Sequence, residues 1–152
     1  MQVFARRNDG PAMESSRPIE NASVMRVANG ARLAPGDALR FVLYPTGLPY
    51  VLIVSVDGAG QVSVYFPFQG QASAPIDGAT PVSVPGSIVL DRAVGPERLF
   101  AIFSDRPLEA HAVRELLART AAGGSAAIRS TVRLPLVNTV QSTLLFEKEA
   151  HP

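Results

Sequence analysis

The sequence predicts a mainly β protein, an antiparallel β-sandwich of the immunoglobulin-like type, with one α-helix near the C-terminal third. Residues 35–66 carry three consecutive strand patterns joined by turn residues, which leaves no room for a helix between them. Only one later stretch has helical periodicity. An α/β fold would place a helix between successive parallel strands, so this spacing favours an antiparallel fold.

The N-terminal part contains short strands and polar connections. We predict a strand at 3–7, a loop at 8–22 and a second strand at 23–27. In the turn Pro35-Gly36-Asp37, proline suits the first central position and glycine the second. We expect residues 1–22 to belong to the edge of one domain, residues 23–148 to form that sandwich domain, and residues 149–152 to be a tail, since 152 residues fit one domain.

The central part gives the clearest strand patterns. From Leu39, apolar and polar residues alternate, as in a half-buried strand. Residues 50–56 are apolar on both faces, which is typical of a central strand covered on both sides. The turn Asp57-Gly58-Ala59-Gly60 has two glycines available for positive φ and predicts a hairpin to a strand at 62–66.

The remaining elements are a loop at 67–80 and strands at 81–84, 87–91 and 97–104, followed by the single helix at 107–120. Pro107 suits the first helical position, where its missing N–H is not needed. The apolar stripe of this helix consists of Leu108, Ala112, Val113, Leu116 and Leu117. Two alternating strands are expected to end the chain, one with Ile128, Ser130, Val132 and Leu134 on a shared face, the other with Val140, Ser142, Leu144 and Phe146.

Composition argues against several classes of chemistry and predicts no cofactor. There is no cysteine, and the only histidines are His111 and His151, too few ligands for a zinc site. No glycine-rich phosphate loop or G-x-S-x-G nucleophile motif occurs. We interpret His111 as a solvent-facing helix residue one turn from Glu115. We therefore predict that the protein is not an enzyme.

The acidic residues Asp37, Asp57, Asp91 and Asp105 flank turns, where aspartate commonly binds backbone N–H groups. A hydrolase with two carboxylates brought together only in the fold stays open at this point, because spacing along the chain does not decide it.

Nucleic acid and membrane partners are not expected. The net charge is +1, and no apolar run is long enough to span a bilayer. Tyr44 and Tyr65 near Arg40 are a weak nucleic-acid signal, better explained as a cross-strand surface pair. The compartment stays open between the cytoplasm and the soluble extracytoplasmic part of a longer, membrane-anchored chain.

One segment suggests contact with a protein partner. Residues 65–76 place three aromatic rings at the start of a loop that continues with small polar residues. Aromatic side chains often anchor protein interfaces. The predicted contact residues are Tyr65, Phe68, Gln69 and Gly70. The alternative is that Phe66 and Phe68 fold back and close one end of the sandwich.

Several motifs together resemble a known bacterial family. They are PGDALRF, YVLIVSVDGAGQVSVYFP, PGSIVLD and GPERLFAIFSDRPL. They look like domain of unknown function 4384, most closely its myxobacterial versions, over roughly residues 30–110. The resemblance implies an accessory role beside caspase-like peptidases, protein kinases or anti-sigma-factor modules. The expected function is a non-enzymatic interaction or sensor module of a signalling or protease system; the alternative is the extracytoplasmic sensor of an anti-sigma-factor-type regulator.

Overall fold

The computed structural model describes residues 1–8, 24–44, 46–77 and 79–150. In this part of the chain the protein is mainly β, as predicted, with two sheets and two helices. In chain order the elements are β1 (Gln2–Arg6), β2 (Val24–Arg26), β3 (Ala31–Leu33), β4 (Ala38–Leu43), β5 (Tyr50–Asp57), β6 (Val62–Phe66), β7 (Ala74–Pro75), β8 (Val82–Ser83), β9 (Ile88–Val89), β10 (Gly95–Ser104), α1 (Ala110–Ala121), α2 (Gly124–Ser130) and β11 (Thr139–Lys148).

The first sheet has the strand order β2-β1-β4-β8, and β9 also pairs with β4. All of its pairings are antiparallel. The second sheet has the order β3-β11-β10-β5-β6, and β7 also pairs with β5. Only the short pairing of β3 with β11 is parallel. The architecture is therefore dominated by antiparallel pairs, as the turn spacing predicted.

The two sheets face each other across an inter-sheet core. It contains Val3, Leu39 and Phe41 from the first sheet and Ile53, Leu99 and Phe146 from the second, all buried. These residues alternate with outward-facing ones along their strands, which is the period that a pleated strand imposes. Burial of both inner faces makes the pair of sheets a sandwich.

A second core, the helix-side core, covers the opposite face of the second sheet. Leu52 and Phe100 on that face pack with Val113 and Leu117 of α1 and with Ile128 of α2. Strands β5 and β10 are thus buried on both faces, as their continuous apolar runs predicted. The molecule has three layers: first sheet, second sheet and helices.

Both predicted turns are present. Asp37 N–H donates to Ala34 O at 3.1 Å, and Gly36 has φ of +90°, as the second central position of this turn requires. In the hairpin, Gly60 N–H donates to Asp57 O at 2.8 Å and Gly60 has positive φ. Gly58 does not adopt positive φ. A Cβ added to Gly58 would lie 3.0 Å from Cδ of Pro96, so the close approach of β10 favours a residue without a side chain.

The strand predicted at 128–134 is wrong. Gly124–Ser130 is the helix α2, so the protein has two helices instead of one. Ile128 and Leu134 are both buried, as an alternating strand would require, but they reach the helix-side core from a helix and from the extended segment after it. The side-chain amide of Gln141 bonds both backbone groups of Leu134, so this segment joins β11 without a strand ladder.

Other differences are smaller. Helix α1 begins at Ala110, so Pro107 precedes it, and Ala112 of the predicted stripe is exposed. Two short strands, β3 and β7, were not predicted. The predicted loop at 8–22 lies, apart from Asn8, outside the described residues, as does His151.

Candidate functional site

The outer face of the first sheet presents three arginines and several apolar side chains to solvent. Val3, Ala5, Leu39 and Phe41 point into the inter-sheet core, so their neighbours along β1 and β4 point outward. We call this surface the basic face; its outward residues are Phe4, Arg6, Val24, Arg26, Arg40 and Val42.

The strand register places the charged and apolar residues side by side. Phe4 on the central strand β1 is opposite Arg26 on β2 and Arg40 on β4. Arg6 is opposite Val24 and Ala38. Side chains at such opposite positions have Cβ atoms roughly 5 Å apart. The half-buried ring of Phe4 therefore lies between two arginine stems.

A groove of about 490 Å³ lies along this face. Its floor is formed by Phe4, Arg6, Val24, Arg40 and Val42, and one wall by residues 83–87, from the end of β8 through its connection to β9. Val24 is 63% exposed. The groove thus combines accessible apolar surface with cationic groups.

The positive charge of the basic face is not balanced within its own sheet. None of the five strands of the first sheet contains an aspartate or a glutamate. Across the described residues, the cations that form ion pairs are Arg32, His111, Arg129 and Lys148. Arg6, Arg26 and Arg40 are exposed and pair with no described carboxylate.

Three of the four predicted contact residues lie on the surface. Phe68 is 47% exposed and meets Phe66 edge-on, with ring centroids 6.1 Å apart. A Cβ added to Gly86 would lie 3.6 Å from the Phe68 ring, so Phe68 borders the wall of the groove. Gln69 and Gly70 beside it are exposed.

The fourth predicted contact residue, Tyr65, points into the sandwich. Its ring packs against the inter-sheet core, with its centroid 6.1 Å from that of Phe41. It does not share an outward face with Tyr44, which is exposed and donates to Oε1 of Gln2 at 2.9 Å. Tyr65 points inward because alternation along β6 sends it to the face opposite that of Val64, which packs against the helix-side core.

The Tyr65 hydroxyl belongs to a buried ion cluster, formed by Tyr65, Asp91, Glu97 and Lys148. It donates to Oε1 of Glu97 at 2.5 Å. Lys148 Nζ lies 2.8 Å from Oε2 of Glu97 and 2.5 Å from Oδ1 of Asp91. No donor is well aligned on Oε2 of Glu97, so its contact with Lys148 is a charge contact more than a hydrogen bond. Lys148 and Glu97 are almost fully buried, whereas Asp91 is half exposed.

The cluster shifts the pKa values of its members. Burial, followed by the charge and hydrogen bond of Glu97, raises the pKa of Tyr65. Burial alone would lower the pKa of Lys148, but its contacts with the carboxylates of Asp91 and Glu97 outweigh burial and raise it. Tyr65 is therefore neutral and Lys148 charged at neutral pH.

Two carboxylates do converge, but around a lysine. Asp91 and Glu97 both contact the ammonium group of Lys148, and Glu97 is only 1% exposed. We interpret the cluster as a link between the sheets, since Asp91 follows β9 of the first sheet and the other three members lie in the second.

Three of the four predicted turn aspartates, Asp37, Asp57 and Asp91, accept backbone N–H groups near their turns. Asp37 is buried and its two carboxylate oxygens accept the N–H groups of Asn8 and Ala34 at 3.0 and 2.9 Å. Oδ1 of Asp57 accepts the N–H groups of Ala59 and Gln61. Asp91 accepts the N–H of Ala93 in addition to its contact with Lys148.

His111 lies on the exposed side of α1, 3.2 Å from Glu115. Within the described ranges, no group of three or more potential ligands could hold a metal ion, and neither helix is long and apolar enough to cross a membrane.

A family model described as Domain of unknown function (DUF4384) matches residues 32–107, half of the chain. The chain belongs to this family. Neither the curated proteins nor the solved structures gave a match.

The matched region of this DUF4384 domain covers β4 to β10. It includes Arg40, Phe68 and the groove wall at 83–87, together with Tyr65, Asp91 and Glu97. The other half of the basic face, on β1 and β2, and the cation of the cluster, Lys148, lie outside the match. The basic face and the ion cluster are therefore each completed by strands that lie outside the matched region.

Arg6, Arg26 and Arg40 were not predicted as site residues from the sequence. Each lies at an outward position of a short strand, where arginine is common. The available signal was the complete lack of acidic residues in these strands. This lack of acidic residues becomes informative only when β2, β1 and β4 are known to be neighbours, because Arg26 and Arg40 then flank Phe4.

Proposed function

We propose that this DUF4384 domain is a non-enzymatic interaction or sensor module, an accessory of a bacterial signalling or protease system, and that its basic face binds a protein partner. The observation that carries the proposal is that the outer face of one sheet is covered by helices and that of the other is not. Helices cover the outer face of the second sheet, whereas the described residues leave the outer face of the first sheet open and grooved.

The composition of the open face supports binding. Isolated exposed apolar residues are common on protein surfaces, but a contiguous apolar patch is typical of a binding surface. Here Phe4, Val24 and Val42 line one groove, and Phe68 borders its wall. Arginine and aromatic residues are also the types enriched at protein interfaces.

The test is capture of partners from a lysate of the native bacterial host, followed by measurement of binding with the purified partner. The informative variants are Val24→Ser and Phe68→Ala, which change exposed side chains and leave the core intact. The matched control is Val137→Ser, because Val137 is 85% exposed and lies in the segment before β11.

We expect the control to retain the partner and both informative variants to lose it or bind it more than about tenfold more weakly. A partner bound equally by all variants would contradict the assignment of the basic face. Tyr65 is left unchanged, because its substitution would disturb the ion cluster.

A further inference from the structure

We propose that the partner presents an acidic, extended peptide segment to the basic face, with its carboxylates on Arg6, Arg26 and Arg40 and an apolar side chain between them. This inference rests on the proposed function, since it specifies the partner of the same surface.

Local charge is the first reason. The whole chain has a net charge of only +1, yet the five strands of the first sheet contain arginines and no acidic residue. Two of these arginines, Arg6 and Arg40, line the groove. Exposed guanidinium groups that pair with no described carboxylate favour an anionic ligand, and their planar donor pairs match carboxylates in two-bond contacts.

Spacing is the second reason. Arg26 and Arg40 lie on strands that flank β1 on either side, so their Cα atoms are about 10 Å apart. Arg6 lies two residues along β1 from Phe4, a distance of about 7 Å. An extended peptide projects side chains to one face every two residues, also about 7 Å apart. Carboxylates two to four residues apart can therefore reach two arginines while an apolar side chain contacts Phe4.

The shape of the site favours a peptide over larger polyanions. Proteins that bind nucleic acid or anionic membranes usually carry an extended positive surface and a clearly positive net charge. Here two arginines, Arg6 and Arg40, line one groove of about 490 Å³, and Arg26 lies beside Phe4 on the neighbouring strand. Apolar groups between the arginines would also contribute nothing to binding a phosphate backbone.

The experiment measures fluorescence anisotropy of a labelled peptide containing the repeat Asp-Ser-Val-Ser, compared with a matched peptide containing Asn-Ser-Val-Ser. The protein variants are Arg40→Gln and the double variant Arg6→Gln/Arg26→Gln. The control is Arg114→Gln, an exposed arginine of α1. Circular dichroism establishes that each variant retains the wild-type unfolding midpoint.

We expect the acidic peptide to bind wild type and control, and each lost arginine to weaken binding about 3- to 10-fold. Binding should also weaken as salt rises. The asparagine peptide should bind at least about tenfold more weakly. Equal binding of the two peptides would overturn the inference.

Two further probes test other occupants: a single-stranded oligonucleotide and vesicles containing an anionic lipid. Stronger binding of either, lost in the same arginine variants, would overturn the choice of an acidic peptide. If no acidic peptide binds while a lysate partner is still lost with Val24→Ser and Phe68→Ala, the inference fails and the proposed function stands. If no partner is captured either, both fail.

Discussion

At the scale of single residues, Lys148 is the most unusual side chain of the molecule. It is the only lysine in the sequence, and its side chain is 1% exposed. A buried ammonium is costly unless it is paired, and here Glu97 and Asp91 supply the compensating charges. The Tyr65 hydroxyl satisfies the remaining oxygen of Glu97. The four residues act as one unit, so the loss of any member should affect the others.

Replacement of Lys148 by methionine should lower the free energy of unfolding by about 3–5 kcal/mol, because it leaves Glu97 as an uncompensated buried charge. Urea denaturation measures this change. The matched control is the double variant Lys148→Met/Glu97→Gln, which removes both buried charges and should recover most of the loss. A single variant as stable as wild type would contradict the assigned role of the cluster.

Stability should also fall at high pH. The ordinary pKa values of Tyr65 and Lys148 are 10.0 and 10.5, and folding raises both. The folded protein therefore holds protons that the unfolded chain releases above about pH 10. The stabilising contribution is fully present below that pH and is lost as the pH rises further. Each group contributes a slope of about 1.4 kcal/mol per pH unit.

The measurement is urea denaturation across this pH range for wild type and Tyr65→Phe. The phenylalanine variant should lose stability less steeply above about pH 10, because only Lys148 then contributes from the cluster. Identical slopes in the two proteins would show that the Tyr65 phenol is not linked to folding.

At the scale of elements, α2 depends on a buried arginine of β10. Arg98 Nε donates to Ile128 O at 2.7 Å, and Nη2 donates to Arg129 O. These carbonyls lie in the last turn of α2, where the helix leaves acceptors unsatisfied and where a cation is favourable. Burial lowers the pKa of Arg98, but an arginine remains charged. A seven-residue helix has little stability alone, so this contact fixes its position.

Arg98→Leu should reduce the free energy of unfolding by about 2–4 kcal/mol, because the buried carbonyls lose their donors. Amide hydrogen exchange should become faster in Gly124–Ser130 than in β5. The control is Arg129→Gln, which breaks only a partly exposed ion pair with Glu147 and should have a clearly smaller effect. Unchanged exchange in α2 would contradict the role of Arg98.

At the scale of the whole molecule, β5 and β10 join the two cores. One face of each strand lines the inter-sheet core and the other lines the helix-side core. Neither core can lose its packing without exposing apolar surface of these shared strands. We therefore expect the described layers to unfold together, although the helices pack mainly on the second sheet.

Leu39→Ala in the inter-sheet core and Leu117→Ala in the helix-side core should each cost about 2–5 kcal/mol. Each variant should show one transition, with coincident curves from helical circular dichroism and tyrosine fluorescence. Two separate transitions in Leu117→Ala would instead show that the helical layer unfolds independently of the sandwich.

The sequence alone determined the mainly β class, the turns and the two central strands. Those features depend on local chemistry: Gly36 supplies positive φ, Asp57 binds nearby N–H groups, and continuous apolar runs mark strands covered on both faces. The family resemblance was also readable from the sequence, because its motifs are these same turns and strands.

Tertiary structure alone decided the helix α2, the inward position of Tyr65 and the basic face. Ile128 and Leu134 are spaced as in an alternating strand, yet Ile128 lies in α2 and Leu134 in the extended segment after it; the end of α2 is bound by Arg98, 30 residues away from Ile128. Tyr65 finds its hydroxyl partner 32 residues away in Glu97. Arg26 and Arg40 become neighbours of Phe4 only through strand pairing. The local periodicity of the sequence indicates which residues are buried, whereas long-range contacts decide which groups each side chain contacts.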